Sequence, residues 1–184
     1  MTQQLRRTGG MIEGRVTVLL RPAGGGAPLL VRRSRNAVLR DGGELLAALF
    51  AGTAATPING AMVGIGEEPA NPPYEAGPSI ADGGGVVRLL RPTAAIAPAD
   101  CTVETIADEF RVRVTVRALL PAANAVDPTD PAARVEITEA SLGVLDVPGT
   151  GLARIYNRVV FEPVPKTDAH ELALYFEVDF PYGA

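Results

Sequence analysis

The chain has 184 residues, 47% of them apolar, and a formal net charge of −4. That length suffices for one domain with its own core, and the apolar share rules out wholesale disorder. The acidic balance leaves no basic excess to neutralise phosphates, which excludes non-specific nucleic-acid binding.

Gly 20 and Pro 16 suit many short strands joined by turns. Cys101 is alone, so no intramolecular disulfide framework is possible. Met1 to Arg7 precedes no apolar run of signal-peptide length, and no apolar stretch approaches the roughly 18 residues of a membrane span. The expectation is a soluble chain made in the cytoplasm, without membrane association.

Residues 1–14 are expected to form a flexible arm, with residues 15–184 as a single domain. Arg6, Arg7, Arg32, Arg33, Arg35 and Arg40 tilt the first forty residues positive. They are read as a solvated strand face, with an anionic partner as the alternative. Arg15–Arg21 and Leu29–Arg33 flank a glycine cluster at Gly24–Gly26 and predict a hairpin. Asp41, with Glu44 three residues on, predicts a capped helix over 42–51. Leu45, Leu46, Leu49 and Phe50 share one face of it, and Gly52 sits at the C′ position. Ile58–Gly66 reads as a buried strand whose glycines admit a close backbone neighbour.

Residues 67–85 are the longest irregular segment, with Pro69, Pro72, Pro73, Pro78 and a triple glycine. Loops of that length inside compact domains are unusual and are commonly functional or disordered until bound. Phe110–Arg117 alternates without a break, apolar at 110, 112, 114 and 116, which predicts a strand with one wet face. Pro121–Pro131 and Asp146–Gly151 read as turns. Leu172, Leu174, Phe176, Val178 and Phe180 form a second alternating face, opposite Glu171, Glu177 and Asp179. The arginines of 111–117 would pair with those acids if the two strands are neighbours. The fold class is mainly β: a single-domain antiparallel β-sandwich with one short α-helix.

Reactive chemistry is poorly supplied. His170 is the only histidine and Cys101 the only thiol; a Cys101–His170 hydrolase is a minor alternative. Two potential nitrogen or sulfur ligands fall short of a zinc set, and Asp127 with Asp130 lacks the calcium-loop register. Gly64-Ile65-Gly66 follows a strand, but Pro69 and Pro72 forbid the helix a dinucleotide needs. The chain is expected to have no metal, no cofactor and no catalytic residue. It has no tryptophan, which leaves little for a stacking platform.

Ile137–Gly143, then Ile155–Thr167, then the alternating strand Glu171–Phe180 resemble the C-terminal half of small structural proteins of tailed phages and phage-like contractile particles. Arg35–Leu39, the helix Glu44–Phe50 and Ile58–Gly66 are similar to landmarks of the same family, in the same order. The resemblance implies a virion or tail component (tail, fibre-associated, baseplate or collar) with no active site, incorporated into a particle. Without the fibrous extension that many such proteins carry, the expectation is a connector, collar or decoration role over host-receptor contact. The alternative class is a carbohydrate- or surface-binding β-sandwich module.

Expected partners are other copies of the chain and neighbouring particle proteins, in a homo-oligomer or ring. Asn71, Pro72, Pro73, Tyr74 and Pro78 are the candidate subunit contacts in a strap over a neighbour, since proline lowers the entropy lost on docking. Arg6 and Arg7 of the arm are the second set.

Overall fold

The computed structural model describes residues 12–53, 56–66, 89–147 and 149–183. In chain order these form strands β1 (Glu13–Pro22) and β2 (Leu30–Val38), helix α1 (Arg40–Phe50), and strands β3 (Gly60–Gly64) and β4 (Thr93–Ala95). There follow β5 (Cys101–Ile106), β6 (Arg111–Leu120), β7 (Val135–Leu145), β8 (Leu152–Lys166) and β9 (His170–Pro181). Every pairing is antiparallel, and the strand order is β4-β3-β7-β8-β2-β1-β9-β6-β5.

The sheet turns over on itself at β2. Residues Leu30 to Asn36 pair with β1, while Ala37 and Val38 pair with Arg158 and Asn157 of β8. The result is two antiparallel sheets sharing one strand: a first sheet β2-β1-β9-β6-β5 and a second sheet β4-β3-β7-β8-β2. Ser34 fastens the turnover by donating its hydroxyl to the Val160 carbonyl at 2.8 Å.

Period-two alternation decides which faces meet. Val16, Val18 and Leu20 of β1, Val116, Ala118 and Leu120 of β6, and Leu172, Leu174, Phe176 and Val178 of β9 are buried in one cluster. Ala61 and Val63 of β3, Ile137, Ala140 and Leu142 of β7, and Val159, Phe161 and Val164 of β8 belong to the same cluster. Each large member contributes about 1.5–3 kcal/mol relative to exposure, which makes this core the main stabilising term. The single-domain sandwich expected from the alternation is the fold that forms.

Several expectations need correction. The helix starts at Arg40 rather than 42 and has no side-chain cap; its N-cap residue is Leu39. Asp41 does not close a capping box. Its carboxylate accepts the Ile155 backbone N–H at 2.6 Å and pairs with Arg154, both on β8. Leu39 N–H donates to the Tyr156 carbonyl at 3.0 Å. Docking on β8 therefore sets the helix start. Only Leu45 is buried on the expected apolar face; Leu49 and Phe50 are 50% and 93% exposed because the last turn reaches past the sheet. Gly52 has the φ of +66° that a C′ glycine takes.

Phe110 does not belong to the buried face of β6. It sits before the strand at φ +52°, is 61% exposed, and packs edge-on against Tyr182. The first strand begins at Glu13, inside the residues assigned to the arm.

Candidate interaction surfaces

Strand register places β6 and β1 on either side of β9, and this gathers the expected charges. Arg113 lies opposite Asp179 on β6–β9, while Glu13 lies opposite Asp179 and Arg15 opposite Glu177 on β1–β9. Asp179 accepts from Arg113 Nε at 2.7 Å and Nη2 at 3.1 Å, from Arg15 Nη2 at 3.3 Å and from Arg111 Nη1 at 3.5 Å. Arg15 also pairs with Glu177, and Arg111 with Glu13, both at 3.3 Å.

Asp179 is 2% exposed. The hydrogen bonds from Arg113 hold its carboxyl below the usual carboxylate range against the opposing effect of burial, and the charges of Arg113, Arg15 and Arg111 add to the lowering. Arg33 and Arg35 of β2 and Arg117 of β6 lie on the same outer face without a carboxylate partner among the described residues. A shallow hollow of about 470 Å³ lies over Arg15, Arg33, Arg35 and Glu177.

The far side of the first sheet ends at β5, whose outer edge pairs with no described strand. Its four middle residues are exposed, with Val103 at 70%. On the inner face, burial falls along β6 from Leu120 through Val116 to Val114 and Val112, which are only half-buried. The second sheet therefore leaves this end uncovered. Val103, Val112, Val114 and Phe180 form an apolar overhang continued by the exposed pair Phe110 and Tyr182.

A groove of about 610 Å³ runs between Leu89–Thr93, Asn124, Leu145 and Gly149–Thr150. Thr93 donates its hydroxyl to the Gly149 carbonyl at 2.6 Å, and Asn124 Nδ2 donates to the Thr93 carbonyl at 3.2 Å. Thr93 and Asn124 are thus committed to holding the groove's own walls, and no lining residue is aromatic.

The candidate contact residues Asn71, Pro72, Pro73, Tyr74, Pro78, Arg6 and Arg7 lie outside the described residues, as does nearly all of the 1–14 arm and the whole 67–85 segment. Cys101 and His170 are not brought together. Val116, the partner of Cys101, faces Phe176, and His170 begins the same strand about 20 Å away at about 3.4 Å per residue. Thr167 Oγ1 bonds His170 Nδ1 at 2.9 Å, while burial and then Asp100 push the Cys101 thiol up. Asp127 and Asp130 accept backbone N–H groups within their own turn. Gly66 packs against the Glu139 carboxylate and accepts the Thr138 hydroxyl.

Three buried charged side chains were not anticipated. Arg158 pairs with Glu139 on the outer face of the second sheet, at 6% and 0% exposure. Lys166, the only lysine among 17 basic residues, is fully buried at the end of β8. Its ammonium donates to the carbonyls of Ala122 at 2.8 Å and Thr167 at 2.9 Å. Burial lowers its pKa to about 8, with Asp168 opposing. Alternation carries the one available signal: Lys166 falls in phase with Val164, on the buried side of β8.

No protein-family model, curated protein or solved structure matches the chain.

Proposed function

We propose that this chain is a non-enzymatic structural subunit of a phage tail or phage-like contractile particle, acting as a connector, collar, baseplate or decoration component through contacts between subunits. The observation that carries the reading is the apolar end of the first sheet that the second sheet leaves uncovered, beside an edge strand with no partner among the described residues. A sandwich that stays alone in water gains nothing by leaving Val103, Phe110 and Tyr182 exposed next to open backbone donors and acceptors. The order of the strand motifs from Arg35 to Phe180 supports a particle setting. On sequence grounds, Asn71 to Pro78 and Arg6–Arg7 add contacts to neighbours.

Co-expression with the products of adjacent genes tests this. The expected result is a stable complex that copurifies and shows a ring or collar of density by electron microscopy. A chain that stays monomeric beside all of those products, and gives a specific hit on a glycan array, overturns the reading in favour of a carbohydrate-binding module.

A further inference from the structure

The outer edge of β5 pairs with no other strand among the described residues. Tyr182 N–H donates to the Phe110 carbonyl at 2.9 Å. In the β6–β9 register, where Arg111 faces Pro181, this bond makes the even-numbered residues of β6 those that bond β9. The odd-numbered residues Arg111, Arg113 and Thr115 therefore turn their backbone groups to β5. Their partners there are Ile106, Glu104 and Thr102. What remains on the outer edge, without a partner strand among the described residues, is the backbone N–H and C=O of Cys101, Val103 and Thr105.

We propose that two copies of the chain join through this edge, β5 against β5 in antiparallel register about a two-fold axis that sets Val103 opposite Val103 of the second copy. This register pairs Cys101 with Thr105 of the other copy and satisfies all the free-edge groups of those three residues, about six backbone hydrogen bonds in all. It sets Glu104 opposite Thr102. The rival register, centred on Glu104, puts two carboxylates directly opposite each other, which is unfavourable. Side chains decide between the two.

The edge also lacks the features that block such pairing. Cys101–Ile106 contains no proline, glycine or lysine, and its only charge is Glu104. The antiparallel arrangement brings the covered end of one sandwich alongside the apolar overhang of the other. Val103, exposed in the single chain, becomes the centre of a continuous sheet. The occupant is a second copy because the edge complements its own sequence when reversed.

The proposal rests on the reading of the chain as an assembling subunit, and its test is separable from that reading because it uses the purified chain alone. With Cys101→Ser as background, Val103→Cys is oxidised mildly, with Thr105→Cys treated alongside. Directly opposite hydrogen-bonded residues have Cα atoms about 5.5 Å apart, within disulfide range. Val103→Cys is expected to give a cross-linked dimer, twice the 19.2 kDa chain mass, at least tenfold faster than Thr105→Cys, which there faces serine. Thr105→Cys with Cys101 retained is expected to cross-link as well.

In sedimentation, the unmodified chain is expected as a dimer. Val103→Pro, which removes a donor facing the outer edge, is expected as a folded monomer whose melting temperature, unlike that of the parent, does not depend on protein concentration. Equal cross-linking of both single-cysteine variants, or a chain that sediments as a monomer, overturns the proposal. Failure to join a particle while the β5 cross-link still forms leaves the self-contact standing and counts against the particle reading alone.

Discussion

Adjacent glycines at the start of α1 should respond to alanine with opposite signs. A Cβ added at Gly42 falls on the Tyr156 carbonyl, 2.7 Å from its carbon and 2.9 Å from its Cα, whereas one added at Gly43 meets nothing within 4 Å. Ordinary contact begins near 3.4 Å, so Gly42→Ala must push the helix from β8 by about 1 Å, and the backbone atoms in its way cannot rotate aside as a side chain would. That retreat stretches the Leu39–Tyr156 bond of 3.0 Å and the Asp41–Ile155 bond of 2.6 Å. Overpacking costs about 1–3 kcal/mol and each weakened bond about 1 kcal/mol, against a gain of about 0.5–1 kcal/mol from replacing a helical glycine. The net for Gly42→Ala is a loss of about 2–4 kcal/mol. At about 2–4 °C per kcal/mol for a chain of this size, Tm falls by about 4–16 °C. Gly43→Ala keeps only the gain and raises Tm by about 2 °C. Thermal unfolding of the two variants decides the matter, and a Gly42→Ala protein at least as stable as the parent refutes the docked-helix geometry.

Asp179→Ala strands three arginines around an empty centre. The expected loss is about 2–3 kcal/mol, moderated because Arg15 and Arg111 keep much of their hydration. The contribution of Asp179 is present above the unfolded carboxylate pKa and is lost as pH falls through its lower folded value. Urea midpoints should therefore separate parent and variant at pH 7 and converge in strong acid; a constant separation contradicts the ion-pair assignment. Lys166 gives a slope of the same direction in the alkaline range, although there the cause is the cost of burying its charge. Its folded pKa of about 8 against an ordinary 10.5 means that the unfolded chain binds more protons between those values, so stability rises with pH there by up to about 3 kcal/mol. Lys166→Met should flatten that rise. Tyr156, pushed up to about 12 by burial, reverses the trend above about pH 10. Its buried hydroxyl has no hydrogen-bond partner among the described residues, so Tyr156→Phe should be neutral or stabilise by about 1 kcal/mol and remove the alkaline fall. Because Lys166 is the only lysine, amine-reactive labelling of the native chain should reach the N-terminus alone, with Lys166 modified only under unfolding conditions. Rapid native labelling of Lys166 argues against its burial.

Strict alternation made β1, β6 and β9 legible from residues alone, and the arginine–carboxylate pairing followed once those strands proved to be neighbours. The start of α1 was not legible. Asp41 has the local features of a cap, but a backbone N–H on β8, more than a hundred residues away, competes for its carboxylate and wins. Leu49 and Phe50 likewise read as core, because helical periodicity reports a shared face and not how far the partner sheet extends. The β5 edge was not anticipated, since six mixed residues carry little pattern and their exposure depends on the shortness of β3 and β4. The Glu139–Arg158 pair was hidden for a related reason: a charged residue in a strand reads as solvent-facing until something covers it. For the strap residues Asn71 to Pro78, the reading stays at the level of composition.

The most direct measurement of the central claim is quantitative mass spectrometry of purified tail or phage-like particles from cells that express this chain. The structural-subunit reading predicts the chain in the particles at a fixed integer ratio to the other components, retained through salt washes. Its absence from intact particles, with the chain abundant in the remaining lysate, contradicts the claim.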